Sequence, residues 1–117
     1  MDEVWPLVGE WSTVPDVAEL LGIEVTRVRQ LVRDGHVLAT KAPGDGPLSI
    51  PTAFVAGGQV VKGLPGVITL LRDVRYDDLE AIRWLYTPDD SLPGTPVQAL
   101  VENRGTEVKR RAQAQGF

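Results

Sequence analysis

Thr26, Arg27, Arg29, Gln30 and Arg33 form a cluster whose chemistry suits recognition of a large charged ligand. Arginine can grip guanine with two parallel hydrogen bonds in the major groove, and glutamine can do the same to adenine. Val28, Leu31 and Val32 fall between these polar residues at i, i+3, i+4 spacing. That spacing gathers the apolar side chains on one face of a helix and leaves the arginines, the glutamine and the threonine on the other. Double-stranded DNA is the partner such a face fits. The alternative is a solvated outer face on a two-helix corner that serves only as scaffold.

The elements that must position this face lie in Thr13 to Gly35, TVPDVAELLGIEVTRVRQLVRDG. Thr13 reads as an N-cap, with Asp16 three residues later in the capping-box position. Pro15 suits a first helical turn, where its missing N–H is no loss. Ala18 is small enough to let two helices approach, and Gly22 permits the sharp bend after the first one. A second helix follows over about 25–34, with Gly35 as the residue just past its end. This is the order of a helix-turn-helix, with the second helix as the recognition helix. Leu20, Leu21, Ile23, Val28, Leu31 and Val32 are expected to fill the inner faces.

After Gly35 the period changes. Residues 36–41 (HVLATK) and 48–51 (LSIP) read as two short strands around the turn-rich APGDGP. Residues 36–51 are then the wing of a winged helix-turn-helix. Lys41, near its tip, is expected to touch phosphate. Asp45 opposes deep entry into a minor groove. His36 is the only histidine, so a structural or phosphate-contacting role is expected for it over metal or catalytic use.

The rest of the chain supports this module. Residues 1–11 read as a loosely held arm, with Trp11 available to staple the first helix. The winged module spans 12–56, and a boundary falls around 56–65. Residues 64–117 read as a small helical C-terminal domain. Val67–Arg72 is an apolar helix. Asp77 or Asp78 caps the next, which runs to about Tyr86 with Leu79, Ile82, Trp84, Leu85 and Tyr86 on its core face. Thr95-Pro96 starts a third, and a fourth runs from Glu107 towards Gln115. Trp84 is expected to hold the C-terminal core, covered by Leu100 and Val101; an exposed interface role is the competing reading. The expected fold class is mainly α, with a β-hairpin wing.

Composition narrows the function. Of 117 residues, 43% are hydrophobic and 24% charged, a globular balance. Cysteine is absent, which excludes disulfides and thiolate zinc sites. No apolar run is long enough to span a membrane. The start, MDEVWPLVGEW, lacks the form of a signal peptide, so the cytoplasm is the expected compartment. The net charge is −4 and the pI about 4.9, unlike an indiscriminate nucleic-acid binder. The distribution is more permissive. Residues 1–24 carry six acids and no base, whereas 25–41 carry Arg27, Arg29, Arg33 and Lys41 against Asp34 alone. Asp77, Asp78 and Glu80 read as acids favoured at a helix start, and Asp89 and Asp90 as loop residues. No cofactor, metal site or enzymatic activity is expected.

VPDVAELLGI, GQVVKGLPGVITLLRD, AIRWLYTPDDSLPG and EVKRRAQAQGF together resemble the actinobacterial winged helix-turn-helix DNA-binding proteins that carry their own small C-terminal domain. That family is typified by a mycobacterial protein associated with serine/threonine kinase signalling. The resemblance implies DNA binding through the recognition helix. It also implies a serine/threonine kinase partner, which would have to act at Ser12, Thr13 or a later site, since no Ser or Thr precedes them. Residues 81–112 are further similar to the C-terminal domain of certain Xre-type antitoxins. That likeness implies self-association or binding of another protein through the C-terminal half.

Overall fold

A computed structural model describes residues 4–92 and 94–116. Val4–Val8 form α1, Trp11–Thr13 form β1, Val14–Leu21 form α2 and Val25–Arg33 form α3. Thr40–Lys41 (β2) and Leu48–Pro51 (β3) follow, then a 3-10 turn at Thr52–Phe54. Val55–Ala56 (β4) and Gln59–Val60 (β5) make a second small hairpin. The rest is helical: α4 at Leu64–Asp73, α5 at Asp78–Leu85, α6 at Pro96–Val101 and α7 at Gly105–Ala114. The expected fold class is present, a winged helix-turn-helix followed by a helical C-terminal region.

Local signals placed most helix ends. Thr13 caps α2 with a reciprocal capping box to Asp16, and Asp77 caps α5 in the same way with Glu80. Thr95 accepts from the Gln98 N–H at the start of α6. α4 begins at Leu64 rather than Val67, because Pro65 is tolerated in its first turn. α7 begins at Gly105, two residues ahead of Glu107.

The wing is anchored on three strands, not two. β3 pairs antiparallel with β2 on one side and with β1 on the other, giving the order β1-β3-β2. Trp11 faces Pro51, Ser12 faces Ile50 and Thr13 faces Ser49. Of the expected first wing strand, only Thr40 and Lys41 join the ladder. Val37 and Leu38 are fully buried instead. Their apolar character serves the core, on a stretch of chain that is still leaving the end of α3.

The first eleven residues are not a loose arm where they are described. Val4 is completely buried, and α1 packs on α5. Trp11 does not staple α2. Its ring stacks on Trp5, centroids 4.3 Å apart and nearly parallel, and its Nε1–H donates to the Trp5 carbonyl at 3.0 Å. Elements of five and three residues are too short for a periodicity to reveal. Residues 1–3 lie outside the described part.

A single hydrophobic cluster joins both halves. It takes Val4, Val17, Val28, Leu38 and Ile50 from the first, and Ile68, Leu71, Ile82, Leu85, Leu100 and Val108 from the second. The radius of gyration, 13.5 Å, matches one compact unit of this length. The stretch expected to be a boundary holds β5 and the buried Val61 and Leu64.

Four assignments to the core are corrected. Leu20 is 49% exposed, because Val14, Val17 and Ala18 define the buried face of α2 at i, i+3, i+4 and Leu20 falls outside it. Trp84 is only partly buried; Ala81, Ile82 and Leu85 hold the inner face of α5, and Leu79 is exposed. Val101, expected to cover Trp84, is 50% exposed, while Leu100 is buried.

Candidate nucleic-acid interface

The geometry of the pair α2–α3 begins at its turn. Gly22 has φ 68°, a left-handed conformation that costs glycine little. The Ile23 N–H returns to the Ala18 carbonyl at 3.0 Å, which ties the turn to the last turn of α2. Glu24 is the N-cap of α3 and makes no side-chain cap. No acidic residue lies in the first turn of α3, and Arg33 lies in its last, where a cation complements the helix dipole.

Val28 and Leu31 are buried and root α3 on α2. The helical period then fixes what faces outward. Thr26, Gln30 and Arg33, at i, i+4 and i+7, form the middle of the opposite face, flanked by Arg27 and Arg29. All five are exposed. Arg27 and Gln30 are brought into direct contact, with the Arg27 Nη1–H donating to Gln30 Oε1 at 2.8 Å. That bond crosses one turn of α3 and holds the two side chains as a unit.

The far end of α3 is closed. The Asp34 N–H donates to the Gln30 carbonyl and the His36 N–H to the Leu31 carbonyl, both at 2.9 Å. Gly35 has φ 75° and is buried. A Cβ at this position would run into the guanidinium of Arg72, which reaches over from α4. Arg72 in turn donates from Nη2 to Asp78 Oδ1 at 3.0 Å. Nothing local in the sequence marks this contact, because Arg72 and Gly35 are far apart along the chain.

Lys41 stands apart from α3, exposed on β2 opposite Leu48. The loop beyond it is stapled by the Ala42 N–H to the Pro47 carbonyl and the Gly46 N–H to the Ala42 carbonyl, both 3.0 Å. Asp45 is exposed at the tip with φ 60°. His36 is exposed, beside the end of α3.

The perturbed titrating groups lie elsewhere. Burial, helped by the Glu10 carboxylate, pushes the Tyr86 phenol from 10.0 to about 12. Hydrogen bonds from Ser91 hold the Asp89 carboxyl below its usual value. A cleft of about 270 Å³ is lined by Tyr76, Glu80, Arg83, Trp84 and Thr87 on the outer side of α5. Among the described residues, no cluster of three His, Asp or Glu side chains could hold a metal ion, and no helix is long and apolar enough to cross a membrane.

Two family models match the chain. Residues 1–55 match the wHTH domain described as "DNA-binding protein Rv2175c", and residues 61–116 match the "Rv2175c C-terminal domain of unknown function". A curated relative, "DNA-binding protein Rv2175c" of Mycobacterium tuberculosis (strain ATCC 25618 / H37Rv), is 44% identical over 117 residues, covering 89% of this chain and 79% of the relative. A solved structure, "NMR structure of Rv2175c", superposes with a TM-score of 0.82 at 42% identity, covering 92% of this chain and 82% of that one.

Proposed function

Because the chain belongs to the Rv2175c family of winged helix-turn-helix proteins, we propose that it binds double-stranded DNA sequence-specifically and regulates transcription in the cytoplasm. The exposed face of α3 carries this reading. Thr26, Gln30 and Arg33, flanked by Arg27 and Arg29, stand opposite a buried valine and leucine on the second helix of a helix-turn-helix. α3 enters the major groove, and Lys41 on the wing contacts the phosphate backbone. The roles differ in kind. Gln30 and the arginines read base edges, whereas Lys41 adds affinity without sequence information.

Fluorescence anisotropy with a random duplex at low and moderate salt tests DNA binding. The expected result is binding that weakens as salt rises. Arg27→Ala, Arg29→Ala and Arg33→Ala combined should abolish it, and an affinity left unchanged by that triple variant would falsify the assignment. Selection of bound sites from a random DNA pool would then give the operator, and a palindrome would report a dimer through its half-site spacing.

A second reading is supported by the cleft around the partly buried Trp84. Tryptophan at such a site is a common anchor for a protein partner. On this reading the C-terminal half binds a second copy or another protein, and the helix-turn-helix is scaffold. Absence of DNA binding even at low salt, together with loss of self-association in Trp84→Ala, would favour it. A serine/threonine kinase acting near the first strand would find Thr13 before Ser12. The Ser12 side chain is buried and shares a 2.7 Å hydrogen bond with Thr52.

A further inference from the structure

A charged side chain of the C-terminal half, Arg72, reaches the end of the recognition helix. The guanidinium of Arg72 lies against Gly35, immediately past the end of α3, and two residues beyond the outward-facing Arg33. Arg72 also pairs with Asp78, but through a single bond from Nη2 to one carboxylate oxygen. A guanidinium carries five N–H donors and can grip two oxygens at once, so this pair leaves the fork under-used. The two side chains remain 38% and 47% exposed, which keeps them open to exchange with solvent or an incoming anion.

A helix seated in the major groove has backbone phosphates on either side, because the groove is only about 12 Å wide. A cation near the end of that helix can reach phosphate, and such a contact carries no base-sequence information. Building on the DNA-binding reading above, we infer that the C-terminal half is part of the DNA interface: Arg72 contacts a backbone phosphate beside the recognition helix, with Asp78 as its partner when DNA is absent. The exchange replaces one charge-assisted hydrogen bond by another, so little is lost locally. The counterion released from the DNA supplies the gain.

The test uses the full chain, one random duplex and four proteins: the parent, Arg72→Gln, Asp78→Asn and the double variant. Anisotropy across a salt series gives the slope of log affinity on log salt, and thermal melting of the same samples reports folding. Arg72→Gln should reduce the slope by about 0.9, the value of one phosphate contact. Asp78→Asn should tighten binding at fixed salt, and the double variant should lose that gain. An unchanged slope in a folded Arg72→Gln protein overturns the inference and leaves Arg72 as a clasp between the halves. Equal tightening by Asp78→Asn with and without Arg72 also overturns it, since Asp78 would then act by repulsion alone. Should Arg72→Gln fail to fold, Arg72→Lys takes its place in the cycle. A lysine that keeps the charge should preserve the slope and still pass on the gain from Asp78→Asn; loss of that gain counts against the inference. Failure of the parent to bind any duplex at low salt is visible before any variant is compared. It defeats the DNA-binding reading itself, and this inference with it.

Discussion

α3 and α7 are two versions of one sequence idea. Each is a short helix with two buried small or aliphatic residues, Val28 and Leu31 in α3, Val108 and Ala112 in α7. Each carries three basic residues: Arg27, Arg29 and Arg33 in one, Lys109, Arg110 and Arg111 in the other. Their surroundings differ. In α7, Lys109 stretches over Gly66 of α4, the Arg111 Nε–H donates to the Ser91 hydroxyl, and Glu107 sits in the first turn. Two of the three α7 bases, Lys109 and Arg111, are therefore engaged with other parts of the C-terminal half. In α3 the bases are exposed, and the contact they make is internal, from Arg27 to Gln30. Basic composition alone does not distinguish the two helices. What distinguishes them is whether a neighbouring element has already taken the charges up.

The sharpest way to break this contrast is to neutralise each set in turn. The triple alanine variant of α3 should lose DNA affinity by at least about a hundredfold, since each base-reading contact is worth about 1–3 kcal/mol. Alanines at Lys109, Arg110 and Arg111 should instead lower the melting temperature and change affinity only a few-fold. Equal losses of affinity in the two variants would dissolve the distinction.

The ends of the two helices sharpen it further. α3 stops at a left-handed glycine, whereas α7 stops at Gln115 with an ordinary φ of −65°. Gly35→Ala combines a disfavoured φ with a collision against Arg72, and should destabilise the chain by about 1–3 kcal/mol. Melting would show this as one shifted transition, because the core is continuous. Gln115→Ala should leave the melting temperature nearly unchanged. A neutral Gly35→Ala would mean that Arg72 swings clear at little cost.

A smaller effect is expected at the wing. Lys41→Ala should reduce the salt slope by about 0.9 and weaken all sequences alike. A changed base preference in that variant would show that the wing reads bases.

The smallest effect concerns pH and separates the halves by function. Tyr86 has its pKa raised from 10.0 to about 12 in the folded chain. The folded state therefore holds the phenolic proton where the unfolded chain releases it. The resulting stability is full below pH 10 and is lost as pH rises towards 12. Tyr86→Phe should flatten that alkaline decline, measured by denaturant midpoints, and leave DNA affinity at neutral pH unaltered.

Much of this arrangement was legible because it rests on local rules. Thr13 with Asp16, Gly22, Gly35, and Thr95 before Pro96 each announce a helix end through one short-range interaction, and the outward face of α3 follows from its period. What stayed hidden depends on partners distant in sequence. Val4 lies on a helix that packs on the distant α5, and β1 forms its ladder on the edge that β3 offers. The contact of Arg72 with Gly35 joins two halves whose sequences say nothing of each other. Trp84 illustrates the opposite error. Size and apolarity suggest burial, but the inner face of α5 is already filled by Ala81, Ile82 and Leu85.

The seating of α1 on α5 has a consequence for the order of events during synthesis. During synthesis α1 leaves the ribosome well before α5, on which it packs. At about 5–20 residues per second, that interval is on the order of ten seconds. Until then Val4 lacks the cover that α5 gives, although Trp5 can already stack on Trp11, and the strand that follows waits for its ladder with β3. The helix-turn-helix can acquire its local caps and turn early, since those contacts span a few residues. Its final closure waits for the second half of the chain, so a nascent protein acquires the shape of a helix-turn-helix before it acquires the stability of one.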